Sequence, residues 1–390
     1  MVWQFLLRLL SAAYADYCTC SHILEKTILS SAGAEGRIFV YKHLYIGTVL
    51  WYIISNKSDR LNPINRFEYS RKGFYMDKIN LEKLVNDALE YARSFENDGK
   101  VASYIPELSF ADKDALGVCI VANNKKIYKA GDCDTLFTIQ SISKVVSLIL
   151  ALQTAGREKV FDKVWVEPTG DAFNSIVRLE THNRIPLNPM INAGAIAVAG
   201  VIEAEFPFSA FLTLIRRLCG RENIYLNERV YLSEKASGMK NRAIAYMLAN
   251  EGVLEKDVEQ TLDFYFKMCS VNVNAEDLAR IGSVLANDGV DIFTGERLVE
   301  SEFALIAKTL MVTCGMYDGS GEFAIRVGIP AKSGVGGGIM CCVEDNFGIA
   351  VYGPSLDAKG NSVWGLKILE YLSRQLNLHY FSGSKVKEYI

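Results

Sequence analysis

At 390 residues, half of them hydrophobic, the chain is long enough to bury one large core or two smaller ones. A formal net charge of −3 leaves no electrostatic footprint for nucleic acid. The chain has only four histidines and no Cys-x-x-Cys or His-Glu-x-x-His spacing, which excludes the usual zinc sites; the nine cysteines, several inside apolar runs such as Gly117-Val118-Cys119-Ile120-Val121, read as reduced core thiols.

The first 75 residues stand apart from the rest. An apolar start, residues 2–10, is followed by Ala13-Tyr14-Ala15, the outline of a signal-peptide cleavage site. No lysine or arginine precedes the apolar run, and Arg8 interrupts it, so secretion is disfavoured and a cytoplasmic location expected. A second apolar run, residues 44–54, falls well short of the roughly 20 residues needed to span a bilayer. Met76 directly precedes Asp77-Lys78-Ile79-Asn80, a helix-opening sequence. The chain therefore divides into an N-terminal extension or mis-assigned upstream start (1–75), a folded domain (76–380) and a tail (381–390).

Leu81, Leu84, Val85, Ala88, Leu89, Ala92 and Phe95 recur at three and four, which predicts a helix with Asn80 as its N-cap. Strands over 116–122 and 127–130 follow, joined by the turn Asn123-Asn124-Lys125-Lys126. An apolar helix then starts near Ser141. Helical patterns cover 193–205, 209–218, 241–250, 258–269 and 275–287, with Gly252 and Gly289 as stops just past two of them. After a helix over 301–312 the period changes to short β-rich runs over 324–329, 338–343 and 347–352, and a last amphipathic helix covers 362–376. Strands at both ends with helices between predict an α/β (α+β) fold: one sheet from distant chain segments, and an all-α cluster from the middle of the chain.

Ser141 and Lys144 place a hydroxyl and an amine one turn apart at the mouth of the apolar helix, since residues at i and i+3 share a face. The run from Val145 to Leu152 is too hydrophobic to lie in water, so the Lys144 amine is expected in a poorly solvated pocket, where desolvation favours its neutral form. Such an amine can take the serine proton as the hydroxyl attacks a carbonyl. The same tetrapeptide pattern occurs at Ser237-Gly238-Met239-Lys240, in a Gly-containing turn, and at Ser382-Gly383-Ser384-Lys385, in a Gly/Ser tail. Only the first precedes a long apolar helix. The plain alternative there is a helix-start serine with a snorkelling lysine. A Ser-His-Asp triad would have to draw on His182, in a polar loop, or His379, beyond the last helix, and neither has a nucleophile elbow for company.

Lys332-Ser333-Gly334-Val335-Gly336-Gly337-Gly338 opens a late strand. Its glycines let backbone approach a ligand closely, and its lysine adds positive charge. It is no Walker motif, because the lysine precedes the glycines and no helix follows. Ser-x-x-Lys early with Lys-Ser-Gly on a late strand is the pattern of the penicillin-binding proteins and β-lactamases.

Five segments carry a closer resemblance: Tyr104-Ile105-Pro106-Glu107-Leu108, Ile139-Gln140-Ser141-Ile142-Ser143-Lys144, Asn188-Pro189-Met190-Ile191-Asn192-Ala193-Gly194-Ala195, Cys314-Gly315-Met316-Tyr317, and Pro330-Ala331 running into the Lys332 loop. In this order they resemble the signature segments of the serine-dependent glutaminases, over residues 84–376. The resemblance implies a β-lactamase-like fold with a mainly antiparallel sheet, hydrolysis of L-glutamine to L-glutamate and ammonia, no cofactor and no metal. It also implies a homodimer or homotetramer. By position Ser141 matches the family's nucleophile and Lys144 its base, while Asn192, Glu234, Asn241, Tyr265, Tyr317 and Val335 match its substrate contacts. Tyr104 lies at the entrance, and Lys240 stands where an arginine is frequent.

Those residue types suit a zwitterion bearing a carboxamide. Glu234 can pair with the α-ammonium, Asn192 and Asn241 can bind carboxylate or carboxamide, and Tyr265 and Tyr317 can donate hydrogen bonds. Tyr317 can also pass a proton to departing ammonia. The N–H groups of Ser141 and Val335 are candidates for an oxyanion hole. Each has a plain alternative: Glu234 as a solvated turn carboxylate, Tyr265 as core aromatic, Asn192 as a helix cap. A serine β-lactamase or D,D-peptidase, and a non-catalytic glutamine or penicillin sensor, are the competing readings of the whole chain.

Overall fold

The computed structural model describes residues 80–172, 174–175 and 184–382. The N-terminal extension with its two apolar runs, the start at Met76, His22, His43, His182 and the tail beyond Ser382 lie outside the described residues.

Helix α1 (Leu81–Arg93) is capped as expected, the Asn80 side chain accepting from the Lys83 N–H at 3.1 Å, and it buries its apolar stripe. Strands β1 (Gly117–Ala122) and β2 (Ile127–Gly131) form an antiparallel hairpin. The two-residue strand β3 (Phe137–Thr138) then leads through a turn into α2 (Ser143–Ala155). A helical cluster follows: α3 (Arg157–Phe161), α4 (Asn192–Glu203), α5 (Phe208–Cys219), α6 (Glu228–Ser237), α7 (Met239–Asn250) and α8 (Val258–Cys269). Strand β4 (Asn272–Val273) returns to pair with β3, and α9 (Ala275–Ala286) and α10 (Ser301–Cys314) lead to the short α11 (Ser320–Arg326). Strands β5 (Ala331–Ser333), β6 (Gly338–Val343) and β7 (Phe347–Tyr352) precede the last helix, α12 (Val363–Leu376).

The main sheet has the order β2-β1-β7-β6-β5 and is antiparallel throughout, so its two halves come from opposite ends of the described chain. Helices cover both faces. Val118, Ile120, Ile339, Cys341, Ile349 and Val351 pack with α1 and α12, while Cys119, Val121, Met340, Cys342 and Ala350 pack with α9 and the helical cluster. That is why β1, β6 and β7 are buried at every position and show no polar alternation in sequence. Helix α9 approaches β7 so closely that a Cβ on Gly348 would lie 1.9 Å from the Ala279 carbonyl oxygen.

Residues 324–329 are not a strand. Ala324 and Ile325 belong to α11, which buries Phe323 and leaves Ile325 82% exposed; a six-residue apolar run does not by itself separate strand from helix. The edge strand starts instead at Ala331, just past Pro330. Helices α3 and α6 and the two-residue strands β3 and β4 are additional to the sequence reading. The seven described cysteines are all buried and unpaired. Among the described residues no single helix is long and apolar enough to cross a membrane.

Gly348→Val should lower folding stability by about 3 kcal/mol or more, since neither β7 nor α9 can yield without breaking ladder or helix bonds. Urea denaturation measures it, and a midpoint equal to wild type would contradict the close packing.

Candidate active site

Ser141 does not sit on α2 itself but in a 3-10 turn, Gln140–Ile142, that runs directly into it. The turn hangs from the small sheet: the Ile139 N–H donates to the Val271 carbonyl at 2.9 Å. Gln140 has φ of +49°, a left-handed conformation that costs a non-glycine residue of order 1 kcal/mol or more. It is buried, with Nε2 donating to Thr138 Oγ1 at 3.2 Å. Ser141 and Lys144 remain three residues apart on a continuous helical run, which keeps them on one side.

Lys144 is fully buried, because α2 is apolar around its whole circumference from Val145 to Leu152. Its Nζ donates to Asn192 Oδ1 at 2.7 Å and to the Met190 carbonyl at 3.3 Å, both neutral acceptors. Burial pulls its pKa down to about 8, against the opposing influence of Cys269 and Glu234. At pH 7 about one molecule in ten then carries the neutral amine, so the ammonium stays the major form until the pH rises.

The hydrogen-bond chain continues outward with a fixed polarity. The lysine side chain offers only donors here, so Asn192 turns its oxygen to Lys144 and its nitrogen to Asn241 Oδ1, at 2.9 Å. Asn241 is left with its NH₂ as the free end, a donor matched to a carboxylate. Half of the hydrogen-bonding capacity of Asn192 is thus engaged within the protein.

Glu234, on α6, is 6% exposed, and its Oε2 has no hydrogen-bond partner. Burial raises its pKa to about 8, opposed by the Lys144 charge and by the amide of Gln140. It is not the solvated turn carboxylate that composition alone allows. Tyr265, on α8, is fully buried, which raises its pKa well above the ordinary value. Tyr317 follows α10 in a 3-10 turn with φ of +55°. Burial raises its pKa too, while contacts with the Ser141 and Ser333 hydroxyls and the Val335 N–H pull the other way. Tyr104 is 56% exposed, and its phenol interacts electrostatically with Tyr317 and Glu234, as suits the entrance.

Lys332 departs from expectation. It is wholly buried on β5, donates to the Ser333 carbonyl at 2.7 Å and lies 4.5 Å from the centroid of the Tyr317 ring. Burial, reinforced by Lys144, drives its pKa well below the usual lysine range, so the positive charge read into this loop is disfavoured. The glycines also serve another purpose. A Cβ on Gly336 would sit 2.4 Å from the Thr138 carbonyl oxygen, so the close approach there is to the chain's own backbone just before Ser141. This packing brings Val335 to the serine turn.

The structure thus gathers Ser141, Lys144, Asn192, Glu234, Asn241, Tyr265, Tyr317 and Val335, with Tyr104 at the rim and Lys332 beneath Tyr317. Sequence reasoning missed Gln140, Ser333 and Cys269 as neighbours of this cluster. Cys269 had a readable signal, one helical turn beyond Tyr265; the positive φ of Gln140 had none. A cavity of about 410 Å³ lined by Thr138, Val230, Val335, Gly336 and Tyr352 adjoins the loop. A larger one of about 570 Å³, between Glu203, Lys235, Asp263 and Lys267, includes none of these residues.

An antiparallel sheet whose edge strand bears Lys-Ser-Gly beside a Ser-x-x-Lys turn defines the β-lactamase-like class. Residues 99–381 match the family model described as Glutaminase. A glutaminase of Clostridium tetani is 53% identical over 305 residues, 77% of this chain and 100% of that protein. Among solved structures, the probable glutaminase ybaS is 38% identical with a TM-score of 0.73, covering 77% of this chain and 99% of that one. A covalent complex of the Bacillus subtilis glutaminase YbgJ with 5-oxo-L-norleucine, formed by reaction with 6-diazo-5-oxo-L-norleucine, is 38% identical with a TM-score of 0.71, covering 77% and 100%. The chain belongs to the glutaminase family.

The raised pKa of Glu234 has a consequence for stability. Folded, it keeps its proton up to about pH 8; unfolded, it ionises near the ordinary value of 4.5, so its stabilising contribution is present below 4.5 and lost as the pH rises through 8. Relative to Glu234→Gln, the wild type should therefore lose stability between pH 5 and pH 8. Urea midpoints of the two proteins that ran parallel across this window would contradict the assignment.

Proposed function

We propose that this enzyme hydrolyses L-glutamine to L-glutamate and ammonia through a glutamyl ester on Ser141, with Lys144 as general base. The observation that carries the reading is a serine three residues from a fully buried amine held by two neutral oxygens. The covalent complex of the Bacillus subtilis relative with 5-oxo-L-norleucine supports a covalent mechanism.

Neutral Lys144 accepts the Ser141 proton as Oγ attacks the γ-carbonyl. Charge developing on that carbonyl oxygen is met by the N–H groups of Ser141 and Val335; one such donor is typically worth about 2.7–4 kcal/mol of barrier. The Tyr317 hydroxyl, in contact with Ser141, delivers a proton to the departing nitrogen, which leaves as ammonia. The proton held by Lys144 then passes to the Tyr317 phenolate, which leaves both groups neutral; Lys144 takes a proton from the water that attacks the ester and returns it to Ser141 Oγ as L-glutamate leaves. At the other end of the substrate, the α-ammonium pairs with the unpartnered oxygen of Glu234 and favours its ionised form, while the Asn241 amide donates to the α-carboxylate. Tyr265 completes the pocket, Tyr104 guards its mouth and Lys332 supports the Tyr317 ring.

The same reading extends to the whole protein. The glutaminase domain spans residues 76–380, consistent with relatives whose full length aligns to 77% of the chain. It works in the cytoplasm, without a cofactor, as a homodimer or homotetramer.

Ammonia release from L-glutamine, L-asparagine and a chromogenic β-lactam tests this directly. Glutamine alone should turn over, Ser141→Ala should abolish the activity, and Lys144→Met should lower kcat by roughly 10²–10⁴-fold. Glutamine turnover retained in Ser141→Ala would end the mechanism.

Because Lys144 and Glu234 must both shed protons near pH 8, kcat/KM should climb through that pH and level off above it. A profile flat between pH 6 and 9 would count against both assignments.

A further inference from the structure

Met190 gives Lys144 one of its two acceptors through a backbone carbonyl, and a carbonyl is aimed only as firmly as its peptide is held. The Met190–Ile191 peptide is trans, so its C=O and N–H point in opposite directions and fixing one fixes the other. The Ile191 N–H donates to Asn188 Oδ1 at 3.2 Å, and the Met190 carbonyl on the opposite side accepts from Lys144 Nζ at 3.3 Å. The Met190 N–H donates to the same Asn188 oxygen at 3.0 Å. Both peptides that flank Met190 therefore hang from one side-chain atom. Pro189, the residue between, has no N–H to compete for it.

Asn188 is itself locked. It is 1% exposed, its Nδ2 donates to the Glu167 carbonyl at 2.8 Å, and the Glu167 N–H donates back to the Leu187 carbonyl at 2.8 Å. Two N–H groups at one end and a carbonyl at the other allow the amide a single orientation. Helix α4 closes over it, since a Cβ on Gly194 would lie 1.9 Å from the Asn188 carbonyl oxygen.

We propose that Asn188 is a positioning residue that aims the base: by holding the Met190–Ile191 peptide it sets the direction of the Lys144 lone pair. The lysine nitrogen is tetrahedral. With Cε in one direction and two hydrogens directed at Asn192 Oδ1 and the Met190 carbonyl, the neutral amine has one direction left for its lone pair. On the proposed mechanism that lone pair meets the Ser141 proton. If the peptide turns, the amine rotates about Cε–Nζ and the lone pair loses its fixed target. Asn188 makes no hydrogen bond to Lys144 and acts through the backbone alone. The inference rests on the serine–lysine reading of the site.

Asn188→Ala removes the acceptor, and Asn188→Asp keeps an oxygen facing the two N–H groups. On the alkaline plateau, Asn188→Ala should lower kcat for L-glutamine roughly ten- to a hundredfold with KM within about threefold, and Asn188→Asp should stay within about threefold of wild type. The Lys144 midpoint in Asn188→Ala, read by NMR of labelled lysines, separates aiming from loosened packing. Loss of one acceptor in an otherwise intact pocket destabilises the ammonium and moves the midpoint down, whereas water entering a loosened pocket moves it up toward the ordinary lysine value. Glu234 on α6, Cys269 on α8 and Lys332 on β5 also face Lys144, and they are the same in every variant. An unchanged kcat or a raised midpoint in Asn188→Ala would overturn the proposal, as would an Asn188→Asp enzyme equally slow. Should Asn188→Ala fail to fold, Ile191→Pro deletes the one N–H at a position whose φ of −86° lies near proline's range. Its kcat should fall at least about tenfold, and a wild-type kcat there overturns the proposal. Failure of the underlying reading would show instead as full activity in Ser141→Ala.

Discussion

The site depends on a lysine amine placed inside protein without a counter-charge. A buried ammonium that loses water and gains no carboxylate is destabilised by several kcal/mol, and the protein's response is a pKa pulled down to about 8. Pairing Lys144 with a carboxylate would have kept the ammonium charged to a much higher pH and useless as a base. The two neutral oxygens of Asn192 and Met190 orient the amine without providing that stabilisation. Glu234, the nearby carboxyl, is itself held protonated by burial, so the free site has two groups each awaiting a change of charge state. On the proposed mechanism an incoming zwitterion supplies the positive partner that Glu234 lacks.

Fold topology explains how these groups meet. The sheet is closed by strands from both ends of the described chain, which leaves the middle of the chain free to form a separate helical cluster. The serine turn hangs at the seam between the two. From the sheet side come Lys332, Ser333 and Val335; from the cluster side, α4, α6, α7 and α8 each deliver one polar residue, Asn192, Glu234, Asn241 and Tyr265. The tight fit of Gly336 against Thr138 joins the halves at the point where Val335 must reach the serine. Both non-glycine residues of the cluster with positive φ, Gln140 and Tyr317, flank that seam, as strained backbone commonly does at functional sites.

Strong periodicity was legible in the residues themselves. Helix α8 runs over the predicted 258–269, and β6 and β7 over 338–343 and 347–352, because long amphipathic or short β-branched runs bounded by glycine and proline leave few alternatives. What misled was ambiguity at short range: Ala324 and Ile325 fit a strand as well as one turn of helix. The burial of α2 all round predicted a desolvated lysine, since no polar face exists for Lys144 to occupy. The partner of that lysine was not readable, because Asn192 lies 48 positions away and only the fold brings it near. The lowered pKa of Lys332 was not readable for the same reason, burial being a property of the packed chain.

The most direct measurement is the titration of Lys144 itself in the free enzyme, by NMR of side-chain-labelled lysines with Lys144→Met to assign the resonance. Desolvation without a counter-ion predicts a midpoint near pH 8. A Lys144 that titrates at or above the ordinary lysine value of 10.5 would contradict the central claim, since the amine would then be no base for the serine at working pH.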